Sequence, residues 1–212
     1  MALLFFKPCV PAFRLPATKL KSLPTMAALN NFATAHHHPR RKLPILLFDV
    51  MDTIVRDPFY QDVPAFFGWS WLENFSKMEG LKNCMRRGYS YLDGVEELLQ
   101  ALHRHGYEIH AFTNYPIWYE MIEDKLKLST YLSWTFCSCK NGKRKPEPDF
   151  YLEVLKHLGV DSASCIFIDD RMKNVEAAIN AGMAGLQFKN ADLLRQDLSL
   201  LGVDVSFYKQ TK

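Results

Sequence analysis

From Leu43 onward the chain alternates short solid apolar runs with longer stretches whose apolar residues recur at helical spacing. Pro44 to Phe48 is such a run; it stops at Asp49 and predicts a buried strand. Residues 95, 98, 99 and 102 form an apolar stripe between Val95 and His105, and Gly106 follows as a helix stop. Tyr107 to Phe112 reads as a second strand leading into Thr113 and Asn114, Tyr119 to Leu126 as a helix, and Trp134 to Cys139 as a short strand. Asp149 to Leu158 is an amphipathic stretch closed by Gly159, and Cys165 to Ile168 is a third apolar run ending in Asp169 and Asp170. A helix over Met172 to Ala181, a last strand over Gly185 to Phe188 and a final helix over Ala191 to Leu201 complete the pattern. Strands alternating with helices predict an α/β fold with a doubly wound parallel sheet covered on both faces.

Residues 1–42 lack either period and hold Pro8, Pro11, Pro16, Pro24 and Pro39 among scattered Ser, Thr and Ala. The first 48 residues carry seven bases and no acid; the first acidic residue is Asp49. A basic, acid-free, Pro-broken leader has the composition of an organelle transit peptide, and a disordered tail is the plainer alternative. Little Arg and no clean amphipathic helix favour a plastid over a mitochondrial destination. Removing those seven bases from 26 leaves 19 against 23 acids, so residues 49–212 carry −4 although the whole chain is +3. The part expected to fold is acidic, and the basic balance gives no argument for a nucleic-acid partner. No apolar run approaches the ~18–20 residues of a membrane span. Five cysteines, with one Cys137-x-Cys139 pair, make neither a disulfide framework nor a zinc site.

Asp49, Thr113 and the Asp169-Asp170 pair each sit at the C-terminal end of an apolar strand, the edge where open α/β sheets bind ligands. An acid, a hydroxyl and an acid pair thus converge on one rim. Phosphoryl transfer asks for such a set: a nucleophile, a metal and fixed positive charge for the phosphate oxygens. Asp49 suits a nucleophile. Asp169 and Asp170 offer hard oxygen ligands that, with Asp49, suit Mg2+. Thr113 offers a hydroxyl to a phosphate oxygen, and Lys145, in GKRKP before a helix, a fixed cation. Thr53 and Asn114 would orient the loop and the phosphate. Asn174, one turn into the next helix, is a candidate to support metal-bound water.

The order LLFDVMDTIV (46–55), AFTN (111–114), GKRKP (142–146) and IFIDDR (166–171) resembles the haloacid dehalogenase (HAD) superfamily over roughly residues 43–190. The resemblance implies a Rossmann-like HAD core at 43–55 and 93–212. It also implies a small helical cap at 56–92, and the Met51 backbone carbonyl as a further metal ligand. It implies a Mg2+-dependent phosphomonoesterase working through an aspartyl-phosphate on a small-molecule phosphate ester. Family phosphatases read Asp-x-Asp-x-Thr, and the second Asp protonates the leaving group. Here Met51 stands in that place and transfers no proton, which forfeits help worth about 10²–10⁴-fold. The haloacid dehalogenases also lack that second Asp, and a non-catalytic ligand-binding relative would need none. Asp169-Asp170 is the metal-binding form of the last motif and favours phosphate chemistry.

Within 56–92, Phe59, Tyr60, Phe66, Phe67, Trp69, Trp71 and Phe75 put seven aromatics into 17 positions. Packing of the cap onto the core accounts for them, and so does a flat wall for a planar ligand, with Trp69 and Trp71 as substrate contacts. Arg56, Arg86 and Arg87 would meet a second anionic group; Lys143 and Arg144 are solvated charges or edge contacts. The run DVMDTIVRDPFY (49–60) also resembles the plant chloroplast flavin mononucleotide (FMN) hydrolases, which implies FMN as substrate and riboflavin as product. A sugar phosphate or another small ester is the alternative.

Overall fold

The structure, a computed structural model, describes residues 43–59, 62 and 78–206. The leader at 1–42 and the expected substrate contacts Trp69 and Trp71 lie outside the described residues.

Five strands form one parallel sheet among the described residues: β1 (Ile45–Phe48), β2 (Glu108–Thr113), β3 (Ser133–Cys137), β4 (Cys165–Asp169) and β5 (Ala184–Gln187), in the order β3-β2-β1-β4-β5. The helices are α1 (Met78–Gly88), α2 (Val95–Arg104), α3 (Tyr119–Leu126), the short α4 (Ser138–Asn141), α5 (Pro148–Leu158), α6 (Met172–Asn180) and α7 (Ala191–Leu200). β1 is central, with Phe48 opposite Ala111 on one side and Ile168 on the other. The chain winds outward through β2 and β3, then crosses to β4 and β5. The doubly wound α/β sheet expected from the apolar runs is present.

Strand side chains alternate between the two faces. Leu46, Phe48, Ile109, Ala111, Ile166 and Ile168 point to a core closed by Leu98, Leu99 and Leu102 of α2, Ile122 of α3 and Leu194 and Leu198 of α7. Ile45, Leu47, Phe112, Cys165 and Phe167 point to the other, closed by Phe150, Tyr151 and Val154 of α5 and Ala178 of α6. All four β1 residues are buried completely, which explains their unbroken apolar run. Each such side chain contributes about 1.5–3 kcal/mol.

Local chemistry sets the element ends. Pro148 opens α5 and Gly159, at φ 62°, closes it. The Asn190 side chain caps α7 by accepting from the Leu193 N–H at 2.9 Å. A Cβ on Gly185 would lie 2.8 Å from Ile179 and 2.9 Å from Val175, so only glycine lets α6 lie this close to β5. β3 stops at Cys137, two residues short of expectation. There the Cys137 N–H donates to the Asn141 side chain at 3.1 Å and the chain curls into α4. From the insert at 56–92 the structure adds α1, which buries Leu81, Cys84 and Met85 at helical spacing.

Candidate active site

Asp49 follows the central strand, and its N–H donates to the Ile168 carbonyl at 2.8 Å, so β4 fixes where its carboxylate begins. Thr113 ends β2 and Asp169 ends β4. Strands on either side of β1 therefore bring these three residues to one rim.

Lys145 arrives from the loop before α5 and is only 2% exposed. Its ammonium donates to Asp49 Oδ1 at 3.0 Å and to Asp169 Oδ2 at 2.6 Å. It also lies 5.2 Å from the Phe112 ring centroid and 5.0 Å from that of Phe167. Asn114 holds this lysine by its backbone: Asn114 Nδ2 donates to the Lys145 carbonyl, and the Lys145 N–H donates to Asn114 Oδ1, both at 2.8 Å. The Asn114 amide thus positions the cation as well as lining the site. The Thr53 hydroxyl accepts from the Asp170 N–H at 3.1 Å and ties the first loop to the last motif.

Asp169 is fully buried and accepts from the Arg171 N–H at 2.8 Å and from Asn174 Nδ2 at 3.0 Å to each oxygen, besides Lys145. Asn174 therefore acts on this carboxylate directly. Asp170 is half-buried, and its carboxylate lies 4.0 Å from Arg171 Nε. Burial pushes its carboxyl up to about 6, and the charges of Asp49 and Asp169 add to this. Burial also raises Asp49, against the pull of Lys145 and with the push of Asp169.

Carboxylate oxygens of Asp49, Asp169 and Asp170 lie within 4.8 Å of one another. Three carboxylates against one ammonium leave two negative charges in excess. An all-oxygen donor set with that excess fits a hard divalent cation such as Mg2+. Two further groups fit a loaded site. Thr113 Oγ1 is fully buried beside Asp49 and, among the described residues, has no hydrogen-bond partner of normal geometry. Asn174 Oδ1 is likewise buried without a partner among the described residues.

Above this floor opens a cavity of about 580 Å3, lined by Asp49, Met51, Asn114 and Lys145. Its apolar wall is Phe59, Met85, Tyr115, Pro116 and Trp118; Asp52, Asp57, Arg144 and Arg171 contribute charge. The Met51 side chain packs into the core beneath. Of the residues named from sequence, Asp49, Met51, Thr113, Asn114, Lys145, Asp169 and Asp170 are gathered here. Arg56, expected to meet an anionic group, is instead bound to Asp62 at 2.7 Å and to the Gly88 carbonyl at 3.2 Å. Those contacts clasp the two ends of the insert. Lys143 is paired with Glu153 at 2.7 Å on the surface. No motif in the sequence marks Tyr115 and Trp118. Their signal is position: they lie one and four residues after Asn114, on the loop that leaves the rim.

A haloacid dehalogenase-like hydrolase model matches residues 84–182. The chloroplastic flavin mononucleotide hydrolase 1 of Arabidopsis thaliana is 61% identical, over 80% of this chain and 82% of its own length. The sesquiterpene phosphatase astK of Aspergillus oryzae is 33% identical over 46% of this chain and 50% of its own. Among solved structures, a hydrolase from Streptococcus pneumoniae TIGR4 is similar with a TM-score of 0.57 at 20% identity, covering 75% of this chain and 100% of that one. A HAD family enzyme from Bacteroides thetaiotaomicron, in complex with magnesium and inorganic phosphate, has a TM-score of 0.55 at 15% identity, covering 69% and 94%. These two likenesses speak for the fold. With the rim geometry and the 61% identical relative, they lead to one conclusion: the chain belongs to the haloacid dehalogenase-like hydrolases and is one of their phosphatases.

Proposed function

We propose that this phosphatase hydrolyses FMN to riboflavin and inorganic phosphate in the plastid, with Asp49 as nucleophile. The observation that carries the reading is the cavity itself: a charged floor of Asp49 and Lys145 beneath a wall of Phe59, Tyr115 and Trp118. Such a site takes a phosphomonoester with a flat apolar body. The FMN hydrolase relative supports the specific ester, and its chloroplastic description supports the destination read from residues 1–42; nothing in the comparisons favours the mitochondrion. Among the described residues no helix is long and apolar enough to cross a membrane.

In the first step an Asp49 oxygen attacks phosphorus, the P–O bond to the flavin side chain breaks, and an aspartyl-phosphate forms. Lys145, held by Asn114, fixes the Asp49 carboxylate for in-line attack. The Thr113 hydroxyl donates to a phosphate oxygen. The leaving oxygen must take a proton from solvent or a neighbouring acid, because Met51 supplies none. Water then attacks the aspartyl-phosphate, releasing phosphate and restoring the Asp49 carboxylate. Mg2+, held by Asp49, Asp169, Asp170 and the Met51 carbonyl, would neutralise the phosphate charge when bound. Lys145, Arg171 and Asn174, which donate to Asp169, hold its carboxylate in place within that set.

The test is riboflavin and phosphate release from FMN by the full chain with Mg2+. Asp49→Asn is expected to abolish turnover and keep the fold, and EDTA to stop the reaction. Near wild-type activity in Asp49→Asn defeats the mechanism; a Mg2+-dependent phosphatase that ignores FMN defeats only the substrate.

A further inference from the structure

We propose that Tyr115 and Trp118, on the loop between β2 and α3, select substrates with a planar ring on the leaving group, and that Tyr89 holds this wall in position. The inference rests on the phosphatase reading of the same cavity but not on FMN being the ester.

The loop leaves β2 immediately after Thr113 and Asn114, one facing Asp49 and the other clasping Lys145. A ring surface starting there sits at a fixed offset from the phosphorus. Tyr115 and Trp118 line the cavity together with Asp49 and Lys145, so a phosphate on the floor carries its leaving group past them.

Both rings are set before a ligand arrives. The Tyr115 hydroxyl is hydrogen-bonded to the Tyr89 hydroxyl at 2.8 Å, and Tyr89 is completely buried just beyond α1. At the other end the Tyr115 carbonyl accepts from the Cys137 thiol at 3.3 Å and the Ser138 hydroxyl at 3.4 Å. Trp118 packs against the main core, and its carbonyl accepts from the Met121 N–H at 2.9 Å as α3 begins. Burial pushes the Tyr89 hydroxyl up to about 12 and Tyr115 further still, so both stay neutral and the link between them persists across the working pH range. A wall that needs no ordering on binding keeps its full stacking gain for a flat ligand. A ringless polyol phosphate fills the floor but leaves the wall wet. Arg144 and Arg171 line the same cavity.

The experiment compares kcat/KM for two ring-bearing alkyl esters, FMN and pyridoxine 5′-phosphate, with that for ringless glycerol 3-phosphate. All three are alkyl phosphates, so leaving-group chemistry is similar and the ring is the main variable. Wild type is expected to prefer the ring-bearing pair. Tyr115→Leu and Trp118→Leu keep apolar bulk but remove the ring, and each is expected to cut that preference roughly tenfold, mostly through KM. Trp118→Phe retains a ring and is expected to retain most of the preference, whereas Tyr115→Phe keeps its ring but loses the hydroxyl that meets Tyr89 and is expected to match Tyr89→Phe, short of the loss in Tyr115→Leu. Tyr89→Phe deletes only the hydroxyl and is expected to raise KM for the ring-bearing esters with kcat nearly kept. A wild type without ring preference overturns the proposal, as do Phe variants that fare as badly as the Leu variants. A Tyr89→Phe that leaves every KM unchanged overturns the positioning role. Ring preference with pyridoxine 5′-phosphate but no FMN turnover would sink the FMN reading alone.

Discussion

Lys145 is the residue on which the site turns. Its ammonium is shared between two buried carboxylates and shielded from water by Phe112 and Phe167. Removing one member of a buried ionic cluster leaves uncompensated charge, which costs about 3–5 kcal/mol. Lys145→Met is therefore expected to abolish turnover and to lower unfolding free energy by about that amount in a denaturant titration. Added Mg2+ should narrow the stability gap, since a cation can answer the charge that the lysine answered. Asn114→Ala removes two hydrogen bonds to the Lys145 backbone, each worth about 0.5–1.5 kcal/mol, and should depress kcat more than it raises KM. Sequence order made Asp49, Lys145 and Asp169 legible, because strand ends and motif spacing say which residues reach the rim. It did not make the Asn114 clasp legible: two groups 31 positions apart meet only once β2 and the loop before α5 are in place.

At the scale of elements, apolar runs foretold the strands, because β1 and β4 are buried on both faces; β2 keeps its place although His110 interrupts it, the imidazole being hydrogen-bonded to Thr135 and Glu108. Their ends depended on side-chain hydrogen bonds instead, as with Asn141 and the curl after β3. Another such device joins α3 to β3. The Glu123 carboxylate accepts from the Trp134 indole N–H and the Ser129 N–H, both at 2.9 Å, and from the Ser129 hydroxyl. Burial works to raise this carboxyl, but those donors outweigh it and hold it below the ordinary range. A depressed carboxyl stabilises the fold above the unfolded value, about 4.3, and that contribution is lost as pH falls through the folded value. Glu123→Gln is expected to cost about 1 kcal/mol near neutral pH. In melts repeated at falling pH, the gap between variant and wild type should close below the usual carboxylate range; a constant gap would point to packing instead.

For the whole molecule, the doubly wound sheet explains why one rim holds all the chemistry: β1 is flanked by the two strands that end in Thr113 and Asp169. The sequence points to Trp69 and Trp71 of the insert for an aromatic wall, and both lie outside the described residues, whereas the described wall draws on the core loop as well. Composition cannot separate these, because ring density does not say which ring faces the cavity. Binding of Mg2+ to the folded site alone should raise the melting temperature, by the equivalent of about 2.7 kcal/mol at a hundred times its dissociation constant. Asp49→Asn should blunt that rise, a readout independent of turnover. The strand order also bears on how the chain matures. The site needs β1, β2, Lys145 and β4, segments spread from residue 45 to residue 169, and parallel pairing between such distant segments forms slowly. No partial chain holds a working centre, so turnover is a stringent assay of completed folding. In refolding from denaturant, helical signal should return first, and hydrolysis only when β4 has docked on β1.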